Sequence, residues 1–227
     1  MEQRPRRRIR SFVRRPGRMT DSQARALEHL RPRYGLRFQP EPLDVERAFG
    51  RDAPVVLEIG FGNGETFVEQ AAGDPDRNYL GIEVHEPGLG HCLLLLEKLQ
   101  LANVRVIAHD AVEVLEQQIG PASLARINVY FPDPWPKKRH HKRRLIQPAF
   151  LELAASRLVA GGEMYLATDW GNYAEHIDEV IAASSSFDVA ETFEHAGDRS
   201  LDRPTTKFER RGIGKGHRIR DWRLVRR

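Results

Sequence analysis

Five short runs rich in β-branched and aliphatic residues recur through the middle of the chain, at 55–59, 79–83, 104–108, 127–131 and 163–167. Each has the length and composition of a strand buried on both faces. Helix-length stretches separate them at 64–72, 88–101, 111–119 and 148–158. Alternation of this kind predicts a mostly parallel, doubly wound α/β sheet with helices on both faces, because each crossover must pack its apolar stripe against the sheet. Gly161-Gly162 fits the turn from a helix into the fifth run, and 173–183 reads as a further helix. Segments 187–193 and 219–225 then bring the sheet to about seven strands. Upstream, Thr20-Asp21-Ser22-Gln23 has the spacing of a capping box and predicts a helix to about Leu30, after which Pro32, Pro40 and Pro42 punctuate a connector.

The 227 residues, 40% hydrophobic and 30% charged, suit one globular domain over 19–227 with a basic C-terminal segment. Residues 1–18 read as a separate basic arm with too few apolar groups to fold alone, able to order on a ligand. The longest aliphatic run, 93–96, is far too short to span a bilayer, so no membrane association is expected. The Arg-rich start raises a mitochondrial transit peptide, against which stands a single early hydroxyl residue, Ser11. One cysteine, Cys92, and no apolar leader point to a reducing, cytoplasmic compartment, and no metal-ligand spacing surrounds that cysteine.

The net charge of +4 conceals an uneven distribution. Residues 1–18 hold eight Arg against Glu2, 137–144 hold six Lys/Arg and no acid, and 203–227 hold ten against Glu209 and Asp221. The rest of the chain is acidic. Three basic segments on an acidic body fit a protein that meets a polyanion, nucleic acid first, although solvated tails or compositional bias would leave the same pattern.

Straight after the first strand, Glu58-Ile59-Gly60-Phe61-Gly62-Asn63-Gly64-Glu65 places glycines at alternate positions. The spacing is not the G-x-G-x-x-G of dinucleotide sites, and Glu65 at the helix start would repel a phosphate. Glu83 ends the second strand, where a carboxylate could accept ribose hydroxyls, and Asp110 follows the third, where one could accept an adenine amine. These acids suit an adenosine ligand with no phosphate and with positive charge, such as S-adenosyl-L-methionine. The competing reading makes Glu58 and Glu83 ordinary strand-end acids held by helix N-termini.

After the fourth strand comes Phe131-Pro132-Asp133-Pro134-Trp135-Pro136 and then the basic run 137–144. Alternate prolines stiffen an extended loop at the ligand edge and so position Asp133 and Trp135. The cations that follow, with His140 and His141, could hold a phosphate backbone, or form a solvated face with Trp135 as a core anchor.

The segment 132–144 resembles the signature loop of bacterial tRNA (guanine-N7)-methyltransferases. The resemblance extends to 10–15, 17–18, 20–23, 57–65, 81–83, Thr168-Asp169 with Tyr173, and 205–210, nearly the whole chain. It implies a Rossmann-like class I methyltransferase using S-adenosyl-L-methionine, with tRNA as partner; no obligate protein partner is evident in the sequence, which leaves a monomer and a homodimer both open. It further implies donor contacts from Glu58, Glu83, Asp110 and Asp133, with Asp133 the catalytic residue, beside the donor contacts that the loop itself suggests for Gly60, Gly62 and Gly64. Substrate contacts are implied for Lys137, Asp169, Thr206, Lys207, Phe208 and Glu209, and RNA contacts for Arg139, His140, His141, Lys142, Arg143 and Arg144. A nicotinamide oxidoreductase and a non-catalytic RNA-binding module are the competing readings. The glycine spacing argues against the first and the acid set against the second.

Overall fold

The computed structural model describes residues 9–13, 17–197 and 203–227, so the arm expected over 1–18 is described only at 9–13 and 17–18. Thr20 caps α1 (Asp21–His29): its hydroxyl accepts the Gln23 amide, and the Gln23 side chain returns to the Thr20 amide. The short helix α2 (Arg31–Tyr34) follows and leads into β1 (Gly35–Leu36), a two-residue strand that hydrophobic periodicity does not announce. Helix α3 (Val45–Phe49) and strand β2 (Val55–Ile59) open the main alternation. It continues through α4 (Glu65–Gly73), β3 (Asn78–Ile82), α5 (Glu86–Leu99), β4 (Val104–Ile107), α6 (Ala111–Gln117) and β5 (Leu124–Tyr130). Then come α7 (Pro148–Arg157), β6 (Leu158–Thr168), α8 (Gly171–Ala182), β7 (Phe187–His195), α9 (Lys207–Ile213) and β8 (Ile219–Arg226).

Among the described residues the sheet has eight strands, in the order β1-β4-β3-β2-β5-β6-β8-β7. Pairings from β1 to β6 are parallel, while β8 runs antiparallel to both β6 and β7. The eighth strand is β1, which gains its two residues of ladder only by lying against Val106 and Ile107 of β4. Gly161 and Gly162 do not form the turn expected of them. Strand β6 begins at Leu158 and contains both, and the register of its ladder with β5 shifts between Leu124 and Arg126.

Period-2 alternation divides the core. Leu57, Ile127, Val129, Met164, Leu166, Trp222 and Leu224 face α6, α7 and α8, while Val56, Tyr79, Val104 and Val106 face α1, α4 and α5. Cys92 is buried in the second layer, as its leucine-rich surroundings suggest. Glu58 shares the second face with Val56, at the carboxyl end of its strand, where ligands of open α/β sheets bind. Among the described residues no helix is long and apolar enough to cross a membrane, and no group of His, Cys, Asp and Glu could hold a metal.

Candidate functional site

Gly60, Gly62 and Gly64 have φ of 76°, 61° and 86°, a left-handed path that costs other L-residues about 1–2 kcal/mol each. The loop is clamped from two sides. The Gly62 amide donates to Glu83 Oε2 at 2.8 Å, and Gly88 in the first turn of α5 lies so close that an added Cβ would come within 2.3 Å of the Gly62 carbonyl oxygen. Glu83 also accepts the Val84 and His85 amides through Oε1, at 2.7 and 2.9 Å. Burial raises its pKa against the pull of those amides. Asp110 is buried as the N-cap of α6 and accepts the Val112 amide at 3.0 Å.

Glu58 differs from both. It is 4% exposed, its Oε2 has no hydrogen-bond partner, and burial pushes its pKa up to about 8 despite Asn128, Arg126 and Arg203. A buried carboxyl with an unpartnered oxygen next to a glycine loop suits a cationic ligand, because an ammonium or sulfonium nearby would offset the lost hydration of its ionised form. The donor set therefore fits S-adenosyl-L-methionine.

The proline loop begins and ends in strain. Phe131 and Trp135 have φ of 52° and 46°, which non-glycine residues adopt only where the surroundings hold them. Between them Asp133 is exposed. The Trp135 indole N–H donates to the Ser11 carbonyl at 2.9 Å, so the N-terminal segment docks on this loop. Gly17 then passes tightly against His85 and Pro87 at the start of α5.

The basic run is not extended beyond the prolines: Lys138–Arg143 forms a 3-10 helix. It presents Lys137, Lys138, Arg139 and Lys142 to solvent, with His140 and His141 half-buried. Arg143 lies over the Trp135 ring at 5.0 Å and His140 meets its edge. Desolvation and then Arg139, Arg143, Lys137 and Lys142 lower the His140 pKa.

Arg144 departs from the RNA-facing role. It is 3% exposed, donates to the Pro134 carbonyl at 3.0 Å and to Asn172 Oδ1 at 2.7 Å, and lies 4.8 Å from the Tyr173 ring. Its guanidinium ties the proline loop to α8. The expected substrate contacts divide likewise. Thr206 and Glu209 are buried and close a capping box on α9, so their polar atoms serve the helix, whereas Lys207 and Phe208 are exposed. Phe208 is 59% exposed and its ring edge stands over the glycine loop, 4.0 Å from where a Cβ on Gly62 would sit. Asp169 pairs with His217 at 3.1 Å and packs against Gly212. Beside it opens a cavity of about 550 Å³, lined by Trp170, Asn172, Glu194 and Arg218 among others.

Two features escaped the reading of the sequence. The Ser11–Trp135 bond spans 124 positions and has no local signal. Arg203, buried among Asp221, Glu209 and two aromatic rings, sits in a segment that carries no periodicity.

A family model described as "Putative methyltransferase" matches residues 52–222. The tRNA (guanine-N(7)-)-methyltransferase of Alkalilimnicola ehrlichii is 55% identical over 94% of this chain and 90% of its own length. The protein of the same name from Halorhodospira halophila is 52% identical over 95% and 94%. Among solved structures, an antibiotic-related methyltransferase superposes with a TM-score of 0.57 at 16% identity, covering 82% of this chain and 96% of that one. The 16S rRNA (adenine(1408)-N(1))-methyltransferase of Catenulisporales acidiphilia superposes with a TM-score of 0.55 at 15% identity, over 79% and 88%. At these identities the superpositions concern the fold, which is Rossmann-like and of the class I methyltransferase type.

Proposed function

Because the chain belongs to the tRNA (guanine-N(7)-)-methyltransferase family, we propose that it transfers a methyl group from S-adenosyl-L-methionine to N7 of a guanosine in the tRNA variable loop, forming 7-methylguanosine, in the cytoplasm. The observation that carries the site is the buried Glu58 carboxyl, its Oε2 without a hydrogen-bond partner, beside a left-handed glycine loop clamped by Glu83. Glu58, Glu83 and Asp110 hold the donor, which supplies an electrophilic methyl on a cationic sulfur. Gly60, Gly62 and Gly64 let it approach the backbone without obstruction by a Cβ.

Guanine N7 carries an in-plane lone pair, so no base has to remove a proton before attack. Alignment is the main task of the protein. Holding N7 and the methyl carbon in line supplies several kcal/mol of the barrier, roughly, through proximity. As positive charge develops on the purine, the Asp133 carboxylate at the tip of the proline loop stabilises it. Lys137, Lys207 and Phe208, all exposed at the ligand edge, contact the RNA or the target nucleoside, and Asp169 frames the acceptor side together with His217. Arg139, Lys142 and Arg143 engage phosphates with His140 and His141 beside them.

Transfer of label from methyl-labelled S-adenosyl-L-methionine to unmodified tRNA, followed by nucleoside analysis, tests the proposal. Label is expected in 7-methylguanosine. Asp133→Ala should lower kcat by about 100-fold or more and change tRNA affinity little. Label in another nucleoside, or an equal loss of tRNA binding in that variant, would refute the assignment.

A further inference from the structure

We infer that Arg203 is a positioning residue for methyl transfer: it holds the strained start of the proline loop and thereby sets Asp133. The inference rests on the role proposed for Asp133. The Arg203 side chain is fully buried. Nε–H donates to Asp221 Oδ1 at 2.8 Å and Nη1–H to Glu209 Oε2 at 2.6 Å, while Asp221 Oδ2 also pairs with His195 at 2.9 Å. The guanidinium carbon lies 5.1 Å from the Tyr130 ring centroid and 5.6 Å from that of Phe131.

Phe131 is where the chain leaves β5 with φ of 52°, two residues before Asp133. A left-handed phenylalanine persists only if its surroundings over-determine it. Its amide donates to the Ala167 carbonyl at 2.8 Å, which fixes the backbone on one side, and the planar cation meets its ring on the other. At the far side of Asp133, Arg144 fixes the Pro134 carbonyl. Asp133 thus lies between two arginine-held points. Stability alone gives little reason for such a cluster, since well-packed apolar groups can match a buried ion network. Geometry gives a better one. The rigid fork of Arg203 is fixed in orientation by two carboxylates, which holds its guanidinium at cation–π distance from both rings, a fixed geometry that the single point charge of an ammonium does not reproduce.

The test uses the full chain with Arg203→Lys, Phe131→Leu and Asp133→Ala. Arg203→Lys keeps the charge and loses the fork and the fixed geometry it gives. Its kcat for label transfer should fall about 10- to 100-fold, the scale of a misplacement near 1 Å. Donor and tRNA Kd should stay within about twofold, and in the Asp133→Ala background the same substitution should change single-turnover rate by less than about twofold, since coupled residues are non-additive. Phe131→Leu, which removes the ring and leaves the ion cluster, should repeat the pattern and decides the matter if Arg203→Lys does not fold. Full additivity with Asp133→Ala, or unchanged kcat in Phe131→Leu, overturns the inference. Wild-type kcat in Asp133→Ala instead refutes the role of Asp133 itself, and the inference with it.

Discussion

Replacing Glu58 by glutamine keeps the shape of the side chain and removes its titration, which isolates what the buried carboxyl contributes. Burial holds this group near 8 against an ordinary value of 4.5. At pH 7 about one molecule in eleven of the donor-free protein therefore carries an ionised Glu58, and at pH 9 about ten in eleven. If the donor cation binds the ionised form, its affinity gains roughly tenfold, about 1.4 kcal/mol, between those pH values from Glu58 alone. Binding at pH 7 should then release about 0.9 proton from this group. Calorimetry in buffers of different ionisation enthalpy measures that release, and subtraction of the Glu58→Gln value removes the titration of the ligand's own amine. The stability sign is opposite. Between about 4.5 and 8 the folded state binds more protons at Glu58 than the unfolded one, so the stabilisation is full below 4.5 and is lost as pH rises through 8. It amounts to at most ~5 kcal/mol, which Glu58→Gln retains at high pH. The variant should therefore melt higher than wild type at pH 9 and bind donor more weakly there. Identical proton release in both proteins, or a wild type more stable than the variant at pH 9, would refute the reasoning.

Two further substitutions separate neighbours in the basic run. Arg144→Ala removes the buried link from Pro134 to α8 and should cost about 2–4 kcal/mol in denaturant unfolding with little change in the salt slope of tRNA binding. Arg143→Ala, part-exposed over Trp135, should leave stability within about 0.5 kcal/mol while weakening tRNA binding and reducing that slope by about one. Gly88→Ala forces a Cβ onto the Gly62 carbonyl, so donor titration should show an affinity loss of about tenfold or more; wild-type affinity would mean that the loop yields at no cost.

The strand–helix alternation and the two loops at the ligand edge were legible along the chain because near neighbours determine them. Glycines at 60, 62 and 64 permit a left-handed path, prolines at 132, 134 and 136 forbid a helix, and the hydroxyl of Thr20 finds an amide three residues away. Adjacent Arg143 and Arg144 were indistinguishable by type, whereas Thr206 and Glu209 have the spacing of a capping box, a local signal that sets them apart from Lys207 and Phe208. Their fates diverge because turning through the 3-10 helix and α9 aims one side chain at Trp135 or solvent and the next at Asn172 or Arg203. Strand β1 and the insertion of β8 between β6 and β7 depend on partners far along the chain. So does the Arg203 cluster, whose carboxylates come from α9 and β8. The sequence by itself determined the main alternation of strands and helices and which edge of the sheet carries the chemistry. Tertiary structure alone decided which polar side chains face that edge and which are buried behind it, because the burial of a charge is set by partners that only the folded chain brings within hydrogen-bonding distance.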